Sequence, residues 1–360
     1  GTYISPHLQR VEERLSINGQ TATREQFALA VSDVAALARL RDEAGFERNT
    51  YFELTTAAAF AFFADQAVNA AVLEVGLGGR LDATNVVDAE VCVLTSIGIE
   101  HTEYLGEDIA SIAGEKVAIA GPQSILVSGP LPDAALEVAE SRARELGIEH
   151  RHYGKDFSIL DAERGVGGWM ATIGGAEDTY EEIFLPLHGR YQLVNLANAV
   201  AATEALIGRK LDLESARDAA AAATMPGRME PLARHPLIMV DGAHNADGVA
   251  VLADSLKEEY PTVRWQLVLG VMGDKNVEAM IGWLAPMVDG IVVTAPQSER
   301  AVPPNELLER IADLVDVPVV AENDVARALE IARGEAGEGG AVLVAGSLYL
   351  VGEVRQLLTS

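Results

Sequence analysis

AAVLEVGLGGRLDATN, residues 70–85, sets an apolar run against a glycine turn, with Glu74 just ahead of the turn and Arg80, Asp82 and Asn85 behind it. The run is continuous rather than alternating, the pattern of a parallel strand covered on both faces. VCVLTSI (91–97) repeats it, and SILV (124–127) is a third strand candidate. Between and around these runs lie segments with apolar residues at i, i+3 and i+4: 23–45, 53–68, IASIAGEKVAIA (109–120) and DAALEVAESRARELG (133–147). Strands alternating with helices predict an α/β fold.

Past residue 156 the character changes. FSILDAE, GWMATIGG and EEIFLPL (156–188) are short pieces parted by glycine turns, which predicts a small antiparallel insert. An Ala-rich helix is expected over 191–207 and another over 213–223, running into Pro226-Gly227, the strongest boundary signal in the chain. Beyond it PLIMVD, WQLVLGVM, DGIVVTAP, VPVVA and GAVLVAG give five strands with helices between them, the pattern of a doubly wound domain. The expected division is therefore 1–226 and 227–360, two domains in a 360-residue chain.

Composition excludes several functions. The net charge is −27, from 54 acidic against 27 basic residues, so the surface repels nucleic acid and anionic membranes. No stretch reaches the ~18 unbroken apolar residues of a membrane helix. Only five of the basic residues are lysines: Lys116, Lys155, Lys210, Lys257 and Lys275. Acidity with so little lysine suits solubility in very high salt, a halophile-like composition. The single Cys92 lies in an apolar run, which excludes a disulfide scaffold and fits a reducing cytoplasm.

Glycine spacing decides what the 76–79 turn is not. A dinucleotide loop needs G-x-G-x-x-G, and position 81 is Leu; G-x-x-x-x-G-K-[ST] occurs nowhere in the 360 residues. Glu74 then needs a partner such as an Arg, a backbone amide or a metal, with an ion pair to nearby Arg80 the leading choice and a metal the next. Glu100 and His101 follow the carboxyl end of the 91–97 strand, where open parallel sheets place their sites. Carboxylate and imidazole from two adjacent strands would suit Mg²⁺ or Mn²⁺. Lys116 reads as a solvated partner of Glu115, yet unlike Arg it can lose its proton and act as an amine. LIMVDGAHNADG (237–248) ends a strand on Asp241, with His244 and Asn245 leading a helix whose start favours an anion. Ser347 follows the last strand and reads as a helix cap.

Taken together, YISPHLQRVEERLSING (3–19), LEVGLGGRLDATN (73–85), SIGIEHTEYLG (96–106), IAGEKVAI (112–119), MPGRME (225–230), DGAHN (241–245), GDKN (273–276) and AGS (345–347) resemble the folylpolyglutamate synthase/dihydrofolate synthase family of the Mur ligase superfamily. They occur in family order across the whole chain. The resemblance implies a Mur-ligase-type parallel-sheet ATPase domain that binds folate, and a C-terminal Rossmann-like domain that binds glutamate. It implies a monomeric, cytoplasmic ligase: ATP phosphorylates a carboxylate of a pteroate or folate, and the amine of L-glutamate attacks the acyl phosphate. Glu74 and His101 match Mg²⁺ ligands, and Lys116 matches a lysine that such ligases carbamylate to help hold a second metal. Catalytic roles fall to Lys116, His101 and Arg228. Asn198, Arg228 and Asp241 match ATP-contacting positions, with Arg228 reaching phosphate as the domains close; Asp241, His244 and Ser347 match the glutamate side. Ser5, His7, Thr50, Tyr51 and Phe52 resemble the folate-side loops. In this reading Glu74 is a metal ligand, and the glycines bend the chain away so that phosphates can approach.

Two departures stand out. The family carries a GTNGKGS-like P-loop just upstream of SPH, whereas this sequence begins GTYISPH without Met. It therefore reads as N-terminally truncated, and the chain as given as inactive or nearly so. Glu100 stands where many relatives have Asp. The alternatives are a cell-wall Mur ligase, against which SPH and GLGGRLDATN argue, and a non-catalytic paralogue that binds folate or glutamate.

Overall fold

The computed structural model describes residues 1–359. They form two compact units: Gly1–Phe157 with Asn198–Lys210, and Ser158–Ala197 with Leu211 onward.

In the first unit Thr2–Tyr3 pairs antiparallel with Leu15–Ile17 and parallel with Val72–Leu73, while Gln20–Thr21 closes the far edge. A second sheet, all parallel, runs Val91–Leu94, Ile125–Ser128, His150–His152. The 70–75 and 91–97 runs, expected to be adjacent covered strands, thus lie in different sheets. Only Val72–Leu73 of the first is strand, and Val72 is 67% exposed. It pairs with Thr2–Tyr3, and the Glu74 amide still donates to the Tyr3 carbonyl at 2.9 Å. His150–His152 escaped the sequence reading because a His-Arg-His edge strand has no apolar pattern.

Helices Arg24–Glu43 and Tyr51–Asp65 each begin with a reciprocal cap. Thr23 accepts from the Gln26 amide while Gln26 accepts from the Thr23 amide, and Thr50 and Glu53 repeat the arrangement. Thr50 is therefore a helix cap. Tyr3, Leu15, Ala58, Ala59, Phe62 and Phe63 form the core beneath.

The second unit contains the anticipated insert as the antiparallel sheet Ser158–Gly165, Gly168–Gly174 and Thr179–Leu185. Its main sheet has six strands in the order Glu230–Arg234, Leu237–Val240, Ala341–Ala345, Trp265–Leu269, Val288–Val293, Val319–Ala321. Five are the expected parallel strands. The sixth, Glu230–Arg234, is an antiparallel edge that Pro231 had disguised. Met239, Leu267, Leu269, Val293 and Leu343 are fully buried at its centre.

The units do not follow a single cut at 226/227, because the segment after the insert is tied to helix Ala246–Glu259. Glu259 is buried and accepts from the Gly189 amide; His188 Nδ1 lies 2.6 Å from its other oxygen, and Arg190 pairs with Glu258 at 2.9 Å. Burial alone would raise the Glu259 pKa, but the bonds from His188 and Gly189, with the charges of His188 and Arg164, hold it below the ordinary carboxylate value. A lowered carboxylate pKa gives stability that is present above the unfolded value and lost as pH falls through the folded one. Glu259→Gln should therefore cost about 1–3 kcal/mol near neutrality. The gap to the parent should narrow in urea titrations as pH drops below the carboxylate range; a gap independent of pH would contradict this.

Candidate functional site

The GLGG turn is closed on itself. Asp82 Oδ2 accepts from the amides of Gly76 and Leu77 at 3.0 and 2.9 Å, and Oδ1 accepts from the amide and hydroxyl of Thr84. The amides a phosphate would use already hold a carboxylate. Nor do the glycines leave room for a ligand. A Cβ at Gly76 would sit 2.5 Å from the Phe52 ring, and one at Gly79 would sit 2.7 and 2.8 Å from the backbone oxygens of Glu115 and Lys116. Gly78 has a φ of 72° and packs on Leu105. The glycines therefore dock the turn on helix Ile109–Val117 instead of clearing a path for phosphate. Backbone oxygens cannot swing aside, so Gly79→Ala should lower stability by about 1–3 kcal/mol. Gly114→Ala, in the same helix with open space at its Cβ, should be stabilising by about 0.5–1 kcal/mol. Equal effects in thermal melts would contradict that account.

Arg80 does not pair with Glu74; it forks onto Glu115 at 2.9–3.2 Å. Glu74 is exposed and accepts the Ser5 amide at 2.7 Å, so the SPH stretch and the strand end meet. His7 Nδ1 accepts from Arg14 Nε at 3.1 Å, and the Arg14 guanidinium lies 5.2 Å from the centre of the Tyr51 ring. Burial, then the charge of Arg14, lowers the His7 pKa. Of the folate-side residues, Ser5 thus meets Glu74 and Phe52 meets the glycine turn, while His7 and Tyr51 meet on Arg14.

His101 is exposed, in left-handed backbone (φ 54°) at the head of the short helix Thr102–Leu105. Lys116 is half-buried in the last turn of Ile109–Val117, without an ion-pair partner among the described residues. Among the described residues no group of three or more His, Cys, Asp or Glu is gathered for a metal. Glu74 and His101 therefore do not fit an all-protein cage. A hard cation such as Mg²⁺, which keeps waters and substrate oxygens in its shell, would need only one or two protein ligands of this kind.

Asn198 stands apart. It is 2% exposed, and neither atom of its side-chain amide has a hydrogen-bond partner among the described residues. Its Nδ2 would lie 3.0 Å from a Cβ on Gly129, the residue after strand Ile125–Ser128; the same Cβ would overlap the carbonyl oxygen of Thr95. A donor and an acceptor are thus held buried and unpaired among the described residues, beside a glycine at the carboxyl ends of two parallel strands.

In the second unit Asp241 is 4% exposed, with Oδ2 accepting from Met229 N at 2.8 Å and Oδ1 from Ala243 N at 2.7 Å. Burial raises its pKa; the two amides, then Arg228 and His244, oppose that rise. Met229 is itself in left-handed backbone (φ 42°), so the carboxylate fixes the turn that carries Arg228. The half-buried Arg228 side chain passes over Gly242, where a methyl would overlap Nη1 and Leu348. His244 Nδ1 donates to the Gly242 carbonyl at 2.8 Å, which leaves Nε2 as the lone-pair nitrogen. Ser347 is buried and accepts from Tyr349 N at 3.1 Å, the anticipated cap.

Sequence reasoning missed Asp82, Gly129, Met229 and Tyr191. Tyr191 is largely buried near Asp241 and Arg228, and burial, then the Asp241 charge, drives its phenol pKa upward. An Asp six residues after the first glycine of a turn was the available signal for Asp82.

The profile described as "Mur ligase middle domain" matches residues 18–203, and "Mur ligase, glutamate ligase domain" matches 227–348. The dihydrofolate synthase/folylpolyglutamate synthase of Mycobacterium tuberculosis is 36% identical over 99% of this chain and 80% of its own length. A probable bifunctional folylpolyglutamate synthase/dihydropteroate synthase of Haloferax volcanii is 33% identical over 100% of this chain and 43% of its own. The structure of M. tuberculosis folylpolyglutamate synthase complexed with ADP superposes with a TM-score of 0.93 at 35% identity, over 100% of this chain and 84% of that one. With the α/β fold, the two matched domains and the motifs in order, the chain belongs to the folylpolyglutamate synthase/dihydrofolate synthase family of the Mur ligase superfamily.

Proposed function

We propose that the protein is an ATP-dependent amide ligase that joins L-glutamate to dihydropteroate, to a folate, or to both. The observation that carries the nucleotide half is Asn198. Two unpaired buried amide atoms are costly unless a ligand completes them, and an adenine edge offers a matching donor and acceptor. The relatives' names support glutamate ligation onto folates.

In this reading a substrate carboxylate oxygen attacks the γ-phosphorus of ATP and ADP leaves. The glutamate nitrogen then attacks the acyl carbon, phosphate leaves with the C–O electrons, and the nitrogen gives up a proton. Charge develops on phosphoryl and tetrahedral oxygens, where fixed cations act. Arg228, steadied by Asp241, supplies such a cation. Magnesium, when bound, would neutralise phosphate charge, with Glu74 and His101 to hold it. Lys116, half-buried and without an ion-pair partner among the described residues, suits carbamylation, in which its amine bonds to CO₂ carbon and releases a proton. His244 is assigned to the glutamate side, with Asp241 and Ser347 acting through the backbone they hold, and Ser5, His7, Tyr51 and Phe52 to the folate side, with Thr50 capping the helix that carries Tyr51 and Phe52. Since residues 1–360 contain no G-x-x-x-x-G-K-[ST] segment, these residues alone are proposed to bind substrates without appreciable turnover.

The test is ADP release by a chain in which a phosphate loop precedes residue 1, with ATP, Mg²⁺ and glutamate, and dihydropteroate or tetrahydrofolate as acceptor. Turnover should require glutamate and a pterin acceptor together. Turnover with UDP-linked acceptors instead would mark a cell-wall ligase.

A further inference from the structure

One cluster outside this site has an unusual composition for so acidic a chain. At the end of strand Ile125–Ser128 the fully buried Ser128 hydroxyl lies 2.8 Å from His150 Nε2 and 2.9 Å from His152 Nδ1. Both rings stand on one face of the edge strand His150–His152, half-buried, with centroids 6.0 Å apart. They line a cavity of about 340 Å³ together with Arg144, Glu140 and Lys155. Two of the chain's few cationic side chains and both imidazoles therefore face one hollow. Glu140, paired with Arg144 at 3.4 Å, is the only carboxylate lining it; Asp156, beside it, accepts the His152 backbone amide at 2.8 Å.

Proton counting limits what this cluster can do. Ser128 has one hydroxyl proton, so it donates to one ring and accepts from the other. With both rings neutral, one outer nitrogen carries a proton and the other a lone pair. No described protein group takes either. Adding one proton makes both outer nitrogens donors and breaks no bond to Ser128. A second proton would leave the serine hydroxyl without an acceptor. Burial, and for His150 also the charge of His152, lowers both pKa values against the opposing charges of Glu140 and Asp156, which favours the neutral pair when no ligand is bound.

We propose that this cavity is a binding site for a small phosphate-type oxyanion, and that binding draws one proton onto the histidine pair. Lys155 and Arg144 flank the anion, and the two outer imidazole nitrogens donate to it. Because the proton enters with the anion, affinity rises as pH falls through the neutral range, by up to about tenfold per unit. A divalent metal is the competing occupant of two histidines on a strand, but the flanking cations oppose it.

The experiment is calorimetric titration of inorganic phosphate into the chain in two buffers of different ionisation enthalpy, with imidazole ¹⁵N signals assigned from His150→Gln and His152→Gln. Phosphate should shift both rings, take up about one proton on the alkaline side of neutrality, and persist under saturating ADP, which separates this site from the nucleotide site. The exposed variant Lys155→Gln, which leaves the core untouched, should weaken binding about tenfold. Silent imidazoles, loss of binding under ADP, an unaffected Lys155→Gln variant, or ring shifts produced by Zn²⁺ but not by phosphate would each overturn the proposal.

Discussion

Asn198→Ala should weaken ATP or ADP binding about tenfold or more, a loss of at least ~1.4 kcal/mol, and leave the melting temperature unchanged or raised. The two halves of that result have one origin. Asn198 is 2% exposed with both amide atoms unpaired, so the unliganded protein bears a desolvation cost there. Each such atom costs about 1–3 kcal/mol, and alanine removes both while favouring the helix Tyr191–Ile207. A residue that only filled space would show the reverse, with a lower melting temperature and unchanged nucleotide affinity. Nucleotide titration and thermal melts on one preparation decide between them.

Asp241→Ala should be among the most damaging single changes in the second unit. It strands the amides of Met229 and Ala243, both now bonded to one buried carboxylate. At about 1–3 kcal/mol per buried unpaired group the loss is about 2–6 kcal/mol. The turn carrying Arg228 would relax with it, because Met229 holds left-handed backbone only while its amide is anchored. Asp241→Asn retains one acceptor and should lose about half as much. Urea unfolding of both variants measures the order. Equal stability for the alanine variant and the parent would show that the carboxylate is not the clasp of this turn.

Much of this architecture was legible because it is written in local pattern. The helix at 191–207 has the bounds read from its apolar spacing, and the insert at 156–188 and five C-terminal strands were marked by glycine and proline punctuation. Strands that failed to show were those whose residues argue against them: His-Arg-His on one edge, Pro231 on the other. The site was legible as a set of residue types and opaque as a set of partners. Sequence proximity suggested Arg80 for Glu74, whereas Arg80 reaches Glu115, 35 residues away, and Glu74 holds Ser5, 69 residues away. Asp241 at a strand end has the pattern of a ligand-contacting carboxylate, but in the fold both its oxygens serve backbone amides. Long-range amides leave no trace in spacing. The glycine spacing of GLGG fits no nucleotide motif, and its packing against Phe52, Leu105 and the Glu115–Lys116 backbone depends on elements far along the chain.

The central claim, glutamate ligation onto a pterin acceptor at the expense of ATP, is tested most directly by radiolabelled glutamate incorporation. Residues 1–360, alone and with a phosphate-loop segment joined ahead of residue 1, should be assayed side by side with dihydropteroate and tetrahydrofolate. The account predicts label in a pterin product that depends on ATP and Mg²⁺ wherever a phosphate loop is present in the chain, and none from residues 1–360 by themselves. Robust incorporation by residues 1–360 alone, or no incorporation into either acceptor by the chain that carries the loop, would contradict it.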